Sequence, residues 1–272
     1  MSDLHVGFGD LGGKFRHIVD NLIAEKGSRA GGYVIVVTGD LIDNAHHPQM
    51  AADVRSGFDD LRRAGFEDIL VIPGNHDYGT GSNGDKKFVA SFQQAFFGEV
   101  TGYPRKNIIE DCAFIGLDSM AEELHWYDAL WSEGQLGAGQ LGRLSAMLRE
   151  DEVRSCAKRV IYLHHHPFDA RSLHQLKDSK KLRKVLMAAA KEGISVDALL
   201  YGHNHEGKAH NGQWGIPRCY DAGSATLKPR PKAVKSMAWL QVHSSTRDID
   251  IENEDAGRDQ VLPLLNARSP SI

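Results

Sequence analysis

The residues able to do chemistry in this 272-residue chain fall in five short segments. They are Ser2-Asp3-Leu4-His5, Gly39-Asp40-Leu41-Ile42-Asp43, Gly74-Asn75-His76-Asp77, Leu163-His164-His165-His166-Pro167 and Tyr201-Gly202-His203-Asn204-His205. They offer carboxylates, imidazoles and one amide oxygen, and no thiolate. Such a set suits manganese, iron or zinc in a catalytic site better than a cysteine-rich structural zinc site. Asp3, His5, Asp40, Asn75, His165, His203 and His205 make seven donors, too many for one tetrahedral ion. Two ions about 3.5–4 Å apart, sharing one carboxylate, use them all and leave room for a bridging hydroxide.

Taken singly, each segment is ordinary. Asp-x-His near a terminus is commonly surface polarity, and Gly-Asn is turn chemistry. What joins them is position. Segments 33–37, 69–72, 113–117, 160–163 and 198–201 are short, rich in β-branched and apolar residues, and read as buried strands. Four of the five polar segments follow directly on one of these. In a layered α/β fold the loops at the carboxyl ends of neighbouring strands converge on one crevice, so donors distant in sequence meet there. Glycine before Asp40, Asn75 and His203 lets the backbone turn out of the strand and approach a ligand with no Cβ in the way.

The elements between the strands complete the α/β pattern. Phe15, Ile18, Val19, Leu22 and Ile23 repeat with amphipathic-helix spacing, as do Leu182, Val185, Leu186 and Ala189. Strand and helix alternate up to Gly223, after which 237–242 and 249–251 read as strands with no helix between them, an antiparallel addition to a sheet. One domain over 1–252 and a polar tail over 253–272 are expected, with the glycine-rich 79–84 and 134–142 as mobile loops.

Composition narrows the partners. A formal net charge of −4 gives no broad basic field, which disfavours long duplex nucleic acid. No apolar run approaches the length of a membrane span. Three scattered cysteines, Cys112, Cys156 and Cys219, fit neither a disulfide framework nor a Cys-x-x-Cys metal site, and a reducing cytosol is the simplest setting.

The five-part order D-x-H, G-D-x-x-D, G-N-H-D, H-x-P and G-H-x-H resembles the calcineurin-like metallophosphoesterase superfamily, over most of the chain from Asp3 to Ser224. The resemblance implies a four-layer α-β-β-α sandwich with two mixed sheets. It implies one metal on Asp3, His5, Asp40 and His205, and another on Asp40, Asn75, His165 and His203, with Asp40 as the bridge. Among the three consecutive histidines, His165 is chosen for its His-x-Pro spacing. Phosphoester hydrolysis by in-line attack of a metal-bridging hydroxide is then expected. His76 is the candidate general acid toward the leaving alkoxide, with Asp77 to orient its imidazole. Leu117-Asp118-Ser119, the Gly-Gln-Leu-x-x-Leu at 139–144 and His-His-Pro followed by Tyr-Gly-His-x-His look closest to the class III cyclic-nucleotide phosphodiesterase-like branch.

A phosphodiesterase acting on a small phosphoester, nucleotides among the candidates, is therefore expected. A phosphomonoesterase or a nucleotide or lipid pyrophosphatase shares the same cage. A scaffold protein that keeps the fold without catalysis would be expected to lack donors, and here all seven are present together with His76. His125, Trp126, Tyr127 and Trp131 either stack on the substrate or pack in a satellite core. The run Lys177, Lys180, Lys181, Arg183 and Lys184 reads as a solvated helix face. In similar proteins Asp-x-His ends a buried strand, whereas only Met1 and Ser2 precede Asp3 here. A strand of about five β-branched, apolar residues is thus expected upstream of Met1; without it, Asp3 and His5 would be held less rigidly.

Overall fold

Every residue of the strand Tyr33–Thr38, β1, is buried, and alternate side chains feed different cores. Val34 and Val36 join a large cluster with Phe114, Ile161 and Leu199, while Tyr33, Ile35 and Val37 join a second with Phe15, Val19 and Phe58. Side chains on a strand point alternately to its two faces, so a strand covered on both sides is apolar throughout. That is why the segment reads as an unbroken β-branched run.

The computed structural model describes residues 1–81, 84–120, 133–169, 176–226, 240–244, 248–255 and 258–266. The first half contains α1 (Leu11–Lys26), β1, α2 (Pro48–Arg63), β2 (Asp68–Ile72) and α3 (Lys86–Phe97). Next come β3 (Arg105–Ile109), β4 (Cys112–Gly116), α4 (Gly137–Met147), α5 (Asp151–Ser155), β5 (Lys158–Tyr162), α6 (Ser179–Lys191), β6 (Ala198–Tyr201), β7 (Lys208–Ala209) and β8 (Arg218–Asp221). The last described elements are β9 (Leu240–Ser244), β10 (Asp248–Asp255) and β11 (Arg258–Asn266).

Two mixed sheets result. One has the order β11-β10-β9-β1-β2, with β1 and β2 parallel and the rest antiparallel; the other has the order β3-β4-β5-β6-β8-β7, with β4, β5, β6 and β8 parallel. Val34, Val36, Leu70 and Ile72 of the first sheet pack in one core with the second. The helices α1 and α2 cover the first sheet from outside, Phe15 meeting Phe58 edge to face at 6.0 Å. Leu141 and Leu144 of α4 and Leu182 and Leu186 of α6 cover the second. Each such fully buried Leu or Phe stabilises the fold by about 1.5–3 kcal/mol. The four-layer α-β-β-α arrangement with two mixed sheets is thus present.

Several local expectations change. The glycine-rich 134–142 is partly helix: α4 starts at Gly137, and Gly134 bridges to Leu176. Its glycines do not break the helix because Leu141 and Leu144 repeat on its buried side. Residues 253–272 are not simply a polar tail. The boundary expected after 252 falls inside β10, and Arg258–Asn266 pairs with it antiparallel as β11. Antiparallel strands pair without an intervening helix, which hydropathy alone does not reveal. The aromatic residues His125, Trp126, Tyr127 and Trp131 lie outside the described residues. Lys180, Lys181, Arg183 and Lys184 sit on the exposed face of α6, opposite Leu182, Leu186 and Ala189.

Candidate metal centre

The strand ends converge as expected. Residues 1–6 run beside the end of β1 and the loop that follows: Thr38 N donates to Met1 O (2.9 Å), Asp3 N to Gly39 O (3.0 Å), His5 N to Asp40 O (3.0 Å) and Val6 N to Leu41 O (3.1 Å). Asp3 and His5 are therefore held by backbone bonds to the loop that carries Asp40. Asp3, His5, Asp40, His203 and His205 all have positive φ, from 43° to 73°, and are five of the seven such non-glycine residues among those described. Strain of this kind costs on the order of 1–3 kcal/mol per residue and gathers at sites where geometry is over-determined.

Two glycines make the convergence possible. Gly39 has φ +92°, and a Cβ there would lie 2.5 Å from His164 Nδ1 and 2.8 Å from the Gly74 nitrogen. A Cβ on Gly202 would overlap Ser2 Oγ and lie 2.5 Å from Asp3 Oδ2. Neither position has room for any other residue.

Around Asp3, the His205 Nε2 lies 3.1 Å from Oδ1, and the His203 backbone nitrogen donates to Oδ2 at 3.1 Å. His5 Nε2 is 3.4 Å from His205 Nε2 and 3.8 Å from Asp40 Oδ2. Asp3, His5 and His205 thus form one group of donors. On the other side of Asp40, His164 Nε2 lies 3.4 Å from Asp40 Oδ2, 3.0 Å from Asn75 Oδ1 and 3.2 Å from His203 Nδ1. Asn75 is oriented by donating from Nδ2 to Gly81 O at 2.9 Å.

The member of the histidine triplet facing Asn75 and Asp40 is His164, while His165, chosen on its spacing, joins His164 and His203 in a neighbouring donor group. His164 Nδ1 donates to Thr38 O at 2.8 Å, which aims Nε2 at the centre, as such bonds do for metal-ligating histidines. His165 Nδ1 instead shares a hydrogen bond with Ser119 Oγ at 2.8 Å, although its ring lies 4.4 Å from that of His203 and belongs to a donor group with His164 and His203. Ser119 is placed by Gln140, whose side chain brackets Asp118 by accepting from its N (2.8 Å) and donating to its O (2.7 Å). His166 points away, accepting from Phe168 N at 3.1 Å and packing edge-on against Tyr201.

His76 is also positioned differently from expectation. Its Nδ1 donates to the Asp43 carbonyl at 2.7 Å and lies 3.7 Å from Asp43 Oδ1, while its backbone nitrogen donates to Asp40 Oδ1 at 2.9 Å. Asp77 does not orient the imidazole. Its buried carboxylate accepts from the backbone nitrogens of Leu41 (3.0 Å), Ile42 (3.2 Å) and Gly74 (2.8 Å), so it ties two site loops together. Asp43 also reaches His5 Nδ1 at 3.5 Å. The G-D-x-x-D spacing made Asp43 visible in the sequence, but not which rings it serves.

The electrostatics call for a cation. Burial would raise the Asp40 carboxyl, but His164, His76 and His5 hold it well below its ordinary range; Asp3 is lowered against burial in the same way by His205 and His164. Burial works against a charge on His164, yet Asp40, Asp3 and the Thr38 carbonyl push it up to about 10. Two buried carboxylates thus demand positive charge at His164 Nε2, where a metal ion can replace a proton. Burial also lowers His76, but Asp40, Asp43 and Asp77 outweigh it and leave its pKa raised. Burial, with Asp40 beside it, pushes Asp77 up to about 7. Carboxylate, amide oxygen and imidazole in this arrangement fit two divalent ions sharing Asp40.

A four-layer fold with this donor set defines a metal-dependent hydrolase. The sequence model of the calcineurin-like phosphoesterase family matches residues 1–207, and the chain belongs to that family. No curated protein matches it. Among solved structures it is similar to a dimetal phosphatase from Danio rerio, with TM-score 0.70, 14% identity and coverage of 97% of this chain and 98% of that one. It is also similar to GAP50, the anchor in the inner membrane complex of Plasmodium, with TM-score 0.58, 11% identity and coverage of 99% and 88%. Family and fold together make the chain a metal-dependent phosphoester hydrolase. Among the described residues, no helix is long and apolar enough to cross a membrane.

Proposed function

We propose that the chain is a phosphodiesterase acting on a small phosphoester, with one metal on Asp3, His5, Asp40 and His205 and another on Asp40, Asn75, His164 and His203. The observation that carries this reading is the pair of donor groups meeting at Asp40 with His76 beside them. Two cations held by these residues would supply a nucleophile at neutral pH and offset charge developing at phosphorus. His76, its Nδ1 fixed on Asp43, presents Nε2 as the proton donor to the leaving oxygen. Asp77 keeps the Asp40 and Asn75 loops in register, and Ser119 fixes His165 beside the second group.

The diester reading draws on Leu117-Asp118-Ser119, the Gly-Gln-Leu-x-x-Leu at 139–144 and His-His-Pro followed by Tyr-Gly-His-x-His, which look closest to the class III cyclic-nucleotide phosphodiesterase-like branch. Nucleotides such as cyclic AMP stand among the candidate substrates, and manganese, iron and zinc among the metals. Three buried free thiols fit a reducing, cytosolic setting.

The test loads purified protein with Mn²⁺ and compares bis-p-nitrophenyl phosphate, p-nitrophenyl phosphate and cyclic AMP, with Asp40→Ala and His76→Ala as controls. Faster turnover of a diester is expected. Protein that binds about two ions per chain yet cleaves none of the three would overturn the enzymatic reading in favour of a metal-binding scaffold.

A further inference from the structure

The α2 and α3 helices leave a cavity of ≈ 390 Å³ between them, within the size range of small-molecule sites. Its two walls are chemically unlike. Phe88, Phe92 and Phe96 repeat every fourth residue along α3 and line one wall, while Pro48, Ala51 and Ala52 of α2 line the other. One end is closed by Ile42 and Ala45, either side of Asp43 in the loop that holds His76, with His46 and the buried carboxyl of Asp77 beside them.

The other end carries Arg55. This residue is exposed, and among the described residues its guanidinium has no ion pair or hydrogen bond, whereas Arg62 about two helical turns further on pairs with Asp59. Arg55 also lines the surface groove that continues the cavity along α2. A mostly apolar channel ending at an exposed guanidinium is complementary to a molecule with a single anionic head and an apolar chain.

We infer that this cavity is a binding site for a medium-chain carboxylate, its head on Arg55 and its chain running between Ala51 and the three phenylalanines toward Ile42 and Ala45. The cavity adjoins the metal centre through Asp77 and the loop that positions Asp43 and His76. Binding is read without turnover, so it stands or falls independently of substrate preference.

The experiment titrates metal-loaded protein with hexanoate, octanoate and decanoate by calorimetry, with octylamine as a cationic control. Saturable one-to-one binding is expected, tightening up to about fourfold for each added methylene. Arg55→Gln, a surface change, should weaken octanoate at least tenfold. Ala51→Phe should fill the cavity and abolish binding, with an unchanged circular dichroism spectrum and diester hydrolysis. Absence of saturable binding, equal affinity for octylamine, or full affinity in Arg55→Gln would each overturn the assignment.

Discussion

His164 Nε2 lies 3.0 Å from Asn75 Oδ1, at the meeting point of Asp40 and His203. Its neighbour His165 faces Ser119 instead. His164→Ala should therefore reduce bound metal from about two ions per chain toward one, while His165→Ala should keep both. Elemental analysis after dialysis against trace Mn²⁺ distinguishes them; the reverse pattern would return the ligand role to His165.

Metal uptake should be proton-linked. Because Asp40 and Asp3 raise His164 to about 10, a metal ion binding at Nε2 must displace a proton at neutral pH. Apparent affinity should rise with pH across 6 to 9, by up to about tenfold per unit for one displaced proton. Calorimetry in buffers of differing ionisation enthalpy measures the release directly, and zero protons released would contradict it.

His76 should matter most when the leaving group is poor. Replacing it by alanine is expected to lower kcat by about 10²–10⁴ for an alkyl diester, and far less for a p-nitrophenyl diester, whose leaving oxygen needs no proton. Equal losses on the two would assign His76 a purely structural role. Asp43→Asn should show a milder version of the same split, since the Asp43 backbone carbonyl that holds His76 Nδ1 is retained.

Asp118 gives a stability signature away from turnover. Burial pushes its carboxyl up to about 6, against the pull of Met120 N and Tyr78 OH. The folded state therefore holds a proton that the unfolded chain, with an ordinary carboxyl, has lost. Stability contributed by this group is present below the unfolded pKa near 4 and is lost as pH rises toward 6, by on the order of 2–3 kcal/mol. Urea unfolding in EDTA from pH 4 to 7.5 should show a flatter profile for Asp118→Asn than for the wild type. Parallel profiles would rule this out.

Much of the site was legible before folding. Asp40, Asn75, His203 and His205 follow strand-like segments and are preceded by, or lie just beyond, a glycine, and a buried strand followed by glycine announces itself by composition. The strands at 33–38, 68–72, 158–162 and 198–201 were visible for the same reason. Short or polar strands were not: Arg105–Ile109 and Lys208–Ala209 carry little periodic signal, and pairing with Cys112–Gly116 and Arg218–Asp221 is what makes them strands.

The sequence by itself determined the kinds of donor, their order and their arrival at strand ends, because side-chain chemistry and two-residue strand periodicity are local properties. Only the tertiary structure decided which of three consecutive buried histidines faces Asn75 and Asp40, and that Asp43 rather than Asp77 meets His76. Beyond a strand end, side-chain direction no longer follows a fixed period. It is set by partners distant in the chain: Thr38 O and Asn75 for His164, Ser119 for His165, and the amides of Leu41, Ile42 and Gly74 for Asp77.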